Sequence, residues 1–162
     1  MKIKKWWPVM LLLGACSTIT PSIFTTVADV DIMQYFLPAT EWVDADSKAK
    51  AFPDITYRTN TDTPAAVNIS FYGKKDVPRR ITYISLNGNG VDYPLENIKI
   101  LYIDSDKRIL RVTTQGNRDT LASLLETSSI TLTAEIDGVK YTYIPHKDFI
   151  KLKDDFLTMI SY

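Results

Sequence analysis

The stretch that decides the fold reads ITLTAEIDGVKYTYI and runs from Ile130 to Ile144. Its centre, Asp137-Gly138, favours a two-residue type I′ turn, in which both central residues have a positive φ. Such a turn fixes every pair across the hairpin. The apolar pairs are Ile136–Val139, Ala134–Tyr141 and Leu132–Tyr143, and the polar pairs on the other face are Glu135–Lys140 and Thr133–Thr142. A shift of one residue would expose the apolar row. The register that the turn sets is therefore also the register that buries these apolar side chains.

Helices are predicted on both sides of this hairpin. Before it, Asp119 is expected to cap a short helix over Thr120–Glu126, because three leucines recur there at helical spacing. After it, a closing helix is predicted over His146–Ile160, with its lysines and Asp154-Asp155 facing solvent. Its apolar stripe comprises Phe149, Leu152, Phe156, Leu157 and Ile160.

The rest of the chain is predicted to be mainly β. A first strand is expected within Val27–Leu37, where apolar and polar residues alternate imperfectly, and a short helix or helical turn over Thr40–Ala51, with acids early and lysines late. The other predicted strands are Ile55–Arg58, Ala66–Tyr72, Ile81–Leu86, Ile98–Ile103 and Ile109–Thr114. Short strands at this spacing predict a two-sheet β-sandwich, immunoglobulin-like or transthyretin-like, with short helices that include a C-terminal one.

The N-terminus carries an export pattern. A basic segment, residues 1–5, precedes ten residues without charge and then Cys16. A transmembrane helix needs about 20 apolar residues, so this run is too short to remain in a membrane as a span. The residues Leu13-Gly14-Ala15-Cys16 resemble the lipobox of bacterial lipoproteins, in which a branched apolar residue and two small residues precede cysteine.

That resemblance implies a signal peptide over residues 1–15, cleavage between Ala15 and Cys16, and lipidation of Cys16 by a diacylglycerol and a further acyl chain. Two or three acyl chains give a stable anchor, whereas one is marginal. Ser17 implies transfer to the outer membrane if the source has one. The alternative, an ordinary signal peptide, would leave Cys16 as a free thiol in an oxidising compartment. Residues 16–26 are predicted to be a polar tether and residues 27–162 a single domain.

The composition of the chain argues against several classes of function. Cys16 is the only cysteine, so its lipidation excludes disulfides, a thiol nucleophile and cysteine-bound zinc. Three of the nineteen basic residues lie in the signal, which leaves the mature chain near a charge of minus three. Nucleic acid is therefore not an expected partner, because phosphate binding requires a basic face.

No catalytic constellation emerges from the remaining residues. His146 is the only histidine, and no Gly-x-Ser-x-Gly motif exposes a nucleophilic serine. Asp104-Ser105-Asp106 is better explained as a turn than as a calcium site, and Asn87-Gly88-Asn89-Gly90 as a hairpin turn than as a phosphate loop. Neither a metal nor a cofactor is predicted.

The sequence therefore predicts a non-enzymatic lipoprotein of the cell envelope that binds another protein, either as a subunit of an envelope machine or as an inhibitor of a toxin. The alternative is a carrier of a small ligand or lipid, with its pocket inside the sandwich or beneath the last helix. A hydrolase that uses His146 comes third.

Overall fold

The computed structural model describes residues 22–59 and 61–160, and within them the protein is mainly β with two helices. The strands in chain order are β1 Phe24–Asp29, β2 Ile32–Leu37, β3 Trp42–Asp44, β4 Lys50–Arg58, β5 Ala65–Tyr72, β6 Ile81–Gly88, β7 Val91–Pro94, β8 Glu96–Asp104, β9 Ile109–Gly116, β10 Ile130–Ile136 and β11 Val139–Pro145. The helices are α1 Arg118–Glu126 and α2 Lys147–Ile160.

The expected two-sheet sandwich is not evident. The eleven described strands form one antiparallel sheet in the order β7-β6-β10-β11-β3-β4-β5-β9-β8, and the β1–β2 hairpin pairs with β4 beside β3. The sheet curls into a nearly closed barrel. One core cluster, which includes Ile69, Leu110 and Leu132, fills its interior. Alternating strands alone do not determine whether a sheet folds over as two layers or closes on itself, so the confirmed part of the expectation is the mainly β class with a C-terminal helix.

The central hairpin is confirmed in every predicted pair. Ile136 pairs with Val139 and Leu132 with Tyr143. Asp137 and Gly138 have φ values of 51° and 80°, as a type I′ turn requires. The register is local in origin, because a two-residue turn leaves the flanking residues no alternative partner.

Two predictions near the N-terminus need correction. The segment Val27–Leu37 contains two strands, since the chain turns at Val30-Asp31, where Asp31 has a φ of 62°. The segment Thr40–Ala51 does not form a helix but comprises β3, a turn and the start of β4; the predicted helical turn is limited to the bond from the Lys48 amide to the Asp44 carbonyl at 3.2 Å. The described strand β1 begins inside residues 16–26, for which a tether is predicted; residues 16–21 lie outside the described part of the chain.

Side-chain hydrogen bonds account for the absence of the helix over Thr40–Ala51. The Asp44 carboxylate accepts from the Ser47 amide at 2.8 Å and from the Ser47 hydroxyl at 2.6 Å, which closes the turn between β3 and β4. Asp and Ser side chains compete in this way with helical backbone bonds. Across the turn, Trp42 pairs with Ala51, and both are buried.

The two helices cover the lower end of the barrel, near Gly88 and Pro145. The side chain of Asn117, rather than Asp119, caps α1 by accepting from the Thr120 amide at 2.9 Å. In α2 the predicted residues Phe149, Leu152 and Phe156 are buried. Lys153 is also buried, contrary to the expectation that the lysines of this helix face solvent.

Four connections mark the upper end. They are the β3–β4 turn, the β5–β6 loop over residues 73–80, the β8–β9 turn and the β10–β11 turn. The Asn89-Gly90 turn lies at the lower end, as a hairpin turn that leads into β7, a short strand that was not predicted.

Candidate functional site

Cys16, the predicted lipidation site, lies outside the described residues. Within the described part of the chain, neither helix is long and apolar enough to cross a membrane. Ser22 and Ile23, the first described residues, lie beside the outer surface of α2. A groove of about 400 Å³ separates them from Lys151, Asp155 and Met159.

His146 lies at the start of α2 and is exposed. Its Nδ1 atom is 3.0 Å from the Asp148 carboxylate, and its backbone carbonyl accepts from the Phe149 amide at 3.0 Å. No described hydroxyl forms a hydrogen bond with its ring. Among the described residues, His146 therefore lies next to a carboxylate but not next to a nucleophilic hydroxyl. The third expectation, a hydrolase that uses His146, gains no support from this geometry.

The paired carboxylates serve local structure. Asp104 accepts from the Lys107 amide at 3.0 Å within the β8–β9 turn. Asp44 is buried, and its carboxylate also accepts from the Thr142 amide at 2.7 Å. Among the described residues, no three His, Cys, Asp or Glu side chains are close enough together to hold a metal ion.

The most distinctive surface feature is β8. It pairs only with β9 and therefore forms a free edge of the sheet. Four consecutive apolar residues on it, Ile100 to Ile103, are between 44% and 52% exposed. All four side chains are thus about half exposed, and no described element fully covers β8 there. We refer to Ile100–Ile103 as the β8 strip.

The geometry of β8 only partly protects this edge. Register shifts against β9 occur between Glu96 and Lys99 and between Ile100 and Tyr102. Bulges and lysines on edge strands commonly prevent unwanted pairing. The register is regular again from Tyr102 to Asp104, and a run of exposed apolar residues on a free edge is typical of a surface that adds a strand from another chain.

A fixed polar network borders the β8 strip on the outer face of the sheet. The Arg111 guanidinium donates to the Asp54 carboxylate and to the Ser70 hydroxyl, each at 2.7 Å. Asn68 donates to the same carboxylate at 2.8 Å. Arg111 also pairs across the sheet with Tyr102. The surface beside the strip is therefore rigid and its arginine is already neutralised.

A second feature is the upper cavity, a space of about 400 Å³ between the β3–β4 turn, the loop 73–80 and β11. Phe71, Ile136, Tyr141 and Tyr143 form its apolar wall. The sequence predicted a ligand pocket either inside the sandwich or beneath the last helix. Side chains fill the barrel interior, a groove lies beside the last helix, and the upper cavity lies at the barrel mouth.

Sequence reasoning found the strand β8 but missed its exposure. A run such as Ile100-Leu101-Tyr102-Ile103 is typical of a strand buried on both faces. Only the strand order shows that β8 has no outer neighbour. Within the described residues, the fold and its surfaces thus define a small barrel-like β protein with a run of exposed apolar residues on the edge strand β8. No protein-family model, curated protein or solved structure matches the chain.

Proposed function

We propose that the protein is a lipid-anchored component of the bacterial envelope that binds a resident envelope protein through the β8 strip. The supporting observation is the exposure of four consecutive apolar residues on a free sheet edge. The bound segment is an extended strand of the partner. Its backbone groups bond to those of β8, and its apolar side chains cover the strip.

The charges at the ends of the strip favour a single register. Lys99 precedes it and Asp104 follows it, and no described carboxylate forms an ion pair with Lys99. A partner strand with an acidic residue opposite Lys99 and a basic residue opposite Asp104 would pair favourably at both ends. This arrangement gives specificity that the apolar residues alone do not provide.

Site-specific photocrosslinking in the source bacterium tests the binding surface. A photoreactive amino acid is placed at Leu101 and, as a matched control, at Val91 on β7, because the two residues are 52% and 53% exposed on strands at opposite ends of the sheet. Leu101 is expected to give one crosslinked envelope protein that Val91 does not give. Identical products from both positions, no product, or a product formed by two copies of this chain would contradict the proposal.

The anchor has its own test. Export through residues 1–15 followed by acylation predicts that the protein incorporates labelled palmitate, and that the Cys16→Ser variant does not. The proposed location is the outer membrane in a source that has one. A Cys16→Ser protein that still carries the label, or a wild-type protein that never does, would rule out this form of attachment.

A further inference from the structure

The upper cavity has the dimensions of a small-molecule site. Its volume is about 400 Å³, and ligand pockets commonly measure about 300–1,000 Å³. The cavity lies at the mouth of the barrel, and no residue of the β8 strip or of the helices lines it. A ligand there would therefore not contact the proposed protein-binding edge.

Aromatic rings form a fixed wall in this cavity. The rings of Tyr141 and Tyr143 stack with centroids 6.0 Å apart and planes 26° apart. Phe71 packs against Tyr143 with a centroid distance of 5.7 Å and is fully buried. Phe71 therefore supports the ring of Tyr143 from within the core, and the partly exposed ring of Tyr141 offers the flat apolar surface that suits a planar apolar molecule.

The hydroxyl of Tyr143 supplies the polar contact. Tyr143 is only 1% exposed, and no described residue forms a hydrogen bond with its hydroxyl. Every fully enclosed side-chain oxygen or nitrogen among the described residues does have a partner. The hydroxyl is therefore not sealed in the core, and the cavity lined by Tyr143 is the space it can reach.

A ligand that fills the cavity must supply an acceptor for this hydroxyl, because the hydroxyl would otherwise be buried without a hydrogen bond. Burial, together with the nearby Tyr141 and Asp44, raises the pKa of Tyr143 well above its usual value. The group therefore remains protonated at physiological pH. It can donate one hydrogen bond to a ligand that carries an acceptor.

The charged residues at the rim of the cavity either have opposite charges or already form hydrogen bonds. Lys74 donates to the Ser47 carbonyl at 3.0 Å. The Asp137 carboxylate accepts from the backbone amides of Arg79 and Arg80. Lys75 and Asp76 add one charge of each sign. This rim offers no net charge to a ligand, so it favours an uncharged molecule.

The loop that roofs the cavity is held in place from several sides. The Gly73 amide donates to the Arg108 carbonyl at 2.8 Å, and the Arg108 guanidinium donates to the Lys74 carbonyl at 2.8 Å. A Cβ atom at Gly73 would lie 1.8 Å from the Asp76 carbonyl oxygen, so the loop is tightly folded there. The cavity is thus formed before any ligand binds.

We propose that the upper cavity binds a small, uncharged, planar aromatic molecule whose single acceptor atom receives a hydrogen bond from the Tyr143 hydroxyl. Tyr141 contacts a face of the molecule and Ile136 an edge, while the buried Phe71 supports the Tyr143 ring. Lys74 and Lys75 lie at the rim and do not pair with a charge on the ligand.

Quinoline and naphthalene form a matched pair of probes, because they have the same shape and only quinoline carries an acceptor nitrogen. Both are titrated at neutral pH into the purified, isotope-labelled full chain, and binding is followed by protein NMR. Quinoline is expected to shift the signals of Tyr141, Tyr143 and Ile136. It is expected to bind at least about threefold more tightly than naphthalene, as one net hydrogen bond predicts.

The variants Tyr143→Phe and Tyr141→Phe identify the donor. Tyr143→Phe should lose the preference for quinoline or reverse it in favour of naphthalene, because the ring nitrogen is then left without a donor, whereas Tyr141→Phe should keep the preference for quinoline. The proposal is overturned if neither probe binds up to its solubility limit, if the shifts map away from the cavity, or if Tyr143→Phe retains the preference. Should Tyr143→Phe fail to fold, the wild-type shift map and the quinoline preference together decide the matter.

Discussion

The ammonium group of Lys153 donates to the backbone carbonyl of Thr127 at 2.9 Å, although the lysine side chain is only 7% exposed. Thr127 is the C-cap of α1, so a positive charge from α2 lies at the carbonyl end of the other helix. This placement is favourable for both the hydrogen bond and the helix dipole. The contact fixes α2 against the lower end of the barrel.

Replacement of Lys153 by alanine is expected to lower the free energy of unfolding by about 1–3 kcal/mol, because the Thr127 carbonyl loses its charged donor and the buried lysine stem is removed. Urea denaturation measures the change. The matched control is Lys151→Ala, on the exposed side of the same helix, which should change stability by less than about 0.5 kcal/mol. Equal effects of the two variants would argue against a structural role for the Lys153 contact.

Phe156→Ala should be the most destabilising change in α2. The Phe156 ring is fully buried and meets Tyr35 and Tyr57 edge to face, at centroid distances of 6.3 Å and 5.7 Å. Loss of such a ring costs about 3–5 kcal/mol. Thermal and urea unfolding of Phe156→Ala and of the exposed control Met159→Ala check this. A loss below about 1 kcal/mol for Phe156→Ala would mean that α2 does not pack as described.

Asp44 should make the free energy of unfolding depend on pH in the acid range. Burial by itself raises the pKa of this carboxyl, but the hydrogen bonds from Ser47, Thr142 and Asp46 outweigh it and hold the pKa below the ordinary value of 3.8. Its stabilisation is therefore fully present above the unfolded pKa and is lost as the pH falls through the folded pKa.

Asp44→Asn tests this dependence. The variant should be less stable than the wild type near neutral pH and should lose less further stability below about pH 4. The free energy of unfolding measured at a series of pH values shows the difference, with Asp46→Asn as the control on the exposed side of the same turn. Parallel pH curves for the wild type and Asp44→Asn would be inconsistent with the lowered pKa.

Asp137 links the β10–β11 turn to the roof of the upper cavity. Its carboxylate accepts from the Arg80 amide at 2.9 Å and from the Arg79 amide at 3.2 Å. Glycine tolerates the positive φ of this position, so Asp137→Gly should keep the turn but release the loop. Hydrogen exchange at the Arg79 and Arg80 amides is expected to accelerate, and less so in Asp137→Asn, which keeps one acceptor oxygen. Unchanged exchange in Asp137→Gly would contradict this role.

The features that the sequence predicted well have local causes. Asp137-Gly138 sets its own turn and, through it, the pairing of β10 with β11. The periodicity of Phe149, Leu152 and Phe156 correctly indicates the buried side of α2. Each of these signals depends on residues a few positions apart, where backbone geometry leaves few alternatives.

The features that the sequence missed depend on distant partners. Lys153 is buried because the Thr127 carbonyl, 26 residues away in the chain, accepts from it. Trp42 becomes part of a strand because it pairs with Ala51 and Pro145. The Tyr143 hydroxyl lines a cavity whose roof, residues 73–80, comes from a remote part of the chain. No pattern within a short window contains this information.

The exposure of the candidate binding edge also depends on parts of the chain that are distant in sequence. The strand over Ile98–Ile103 was predicted, and the structure extends it to Glu96–Asp104. Its position at the end of the sheet results from the order of all the strands, which sequence patterns do not specify. Exposure of the β8 strip is therefore a property of the topology and not of the local sequence.

The most direct test of the central claim compares Leu101→Lys with Val91→Lys in the membranes of the source bacterium. Lysine on an edge strand opposes the addition of another strand, and the two sites are almost equally exposed. The measurement is the amount of the partner protein that co-purifies with each anchored variant after chemical crosslinking. Binding through β8 predicts a loss of about tenfold or more for Leu101→Lys, equivalent to about 1.4 kcal/mol, and wild-type recovery for Val91→Lys. Equal recovery with both variants would contradict it.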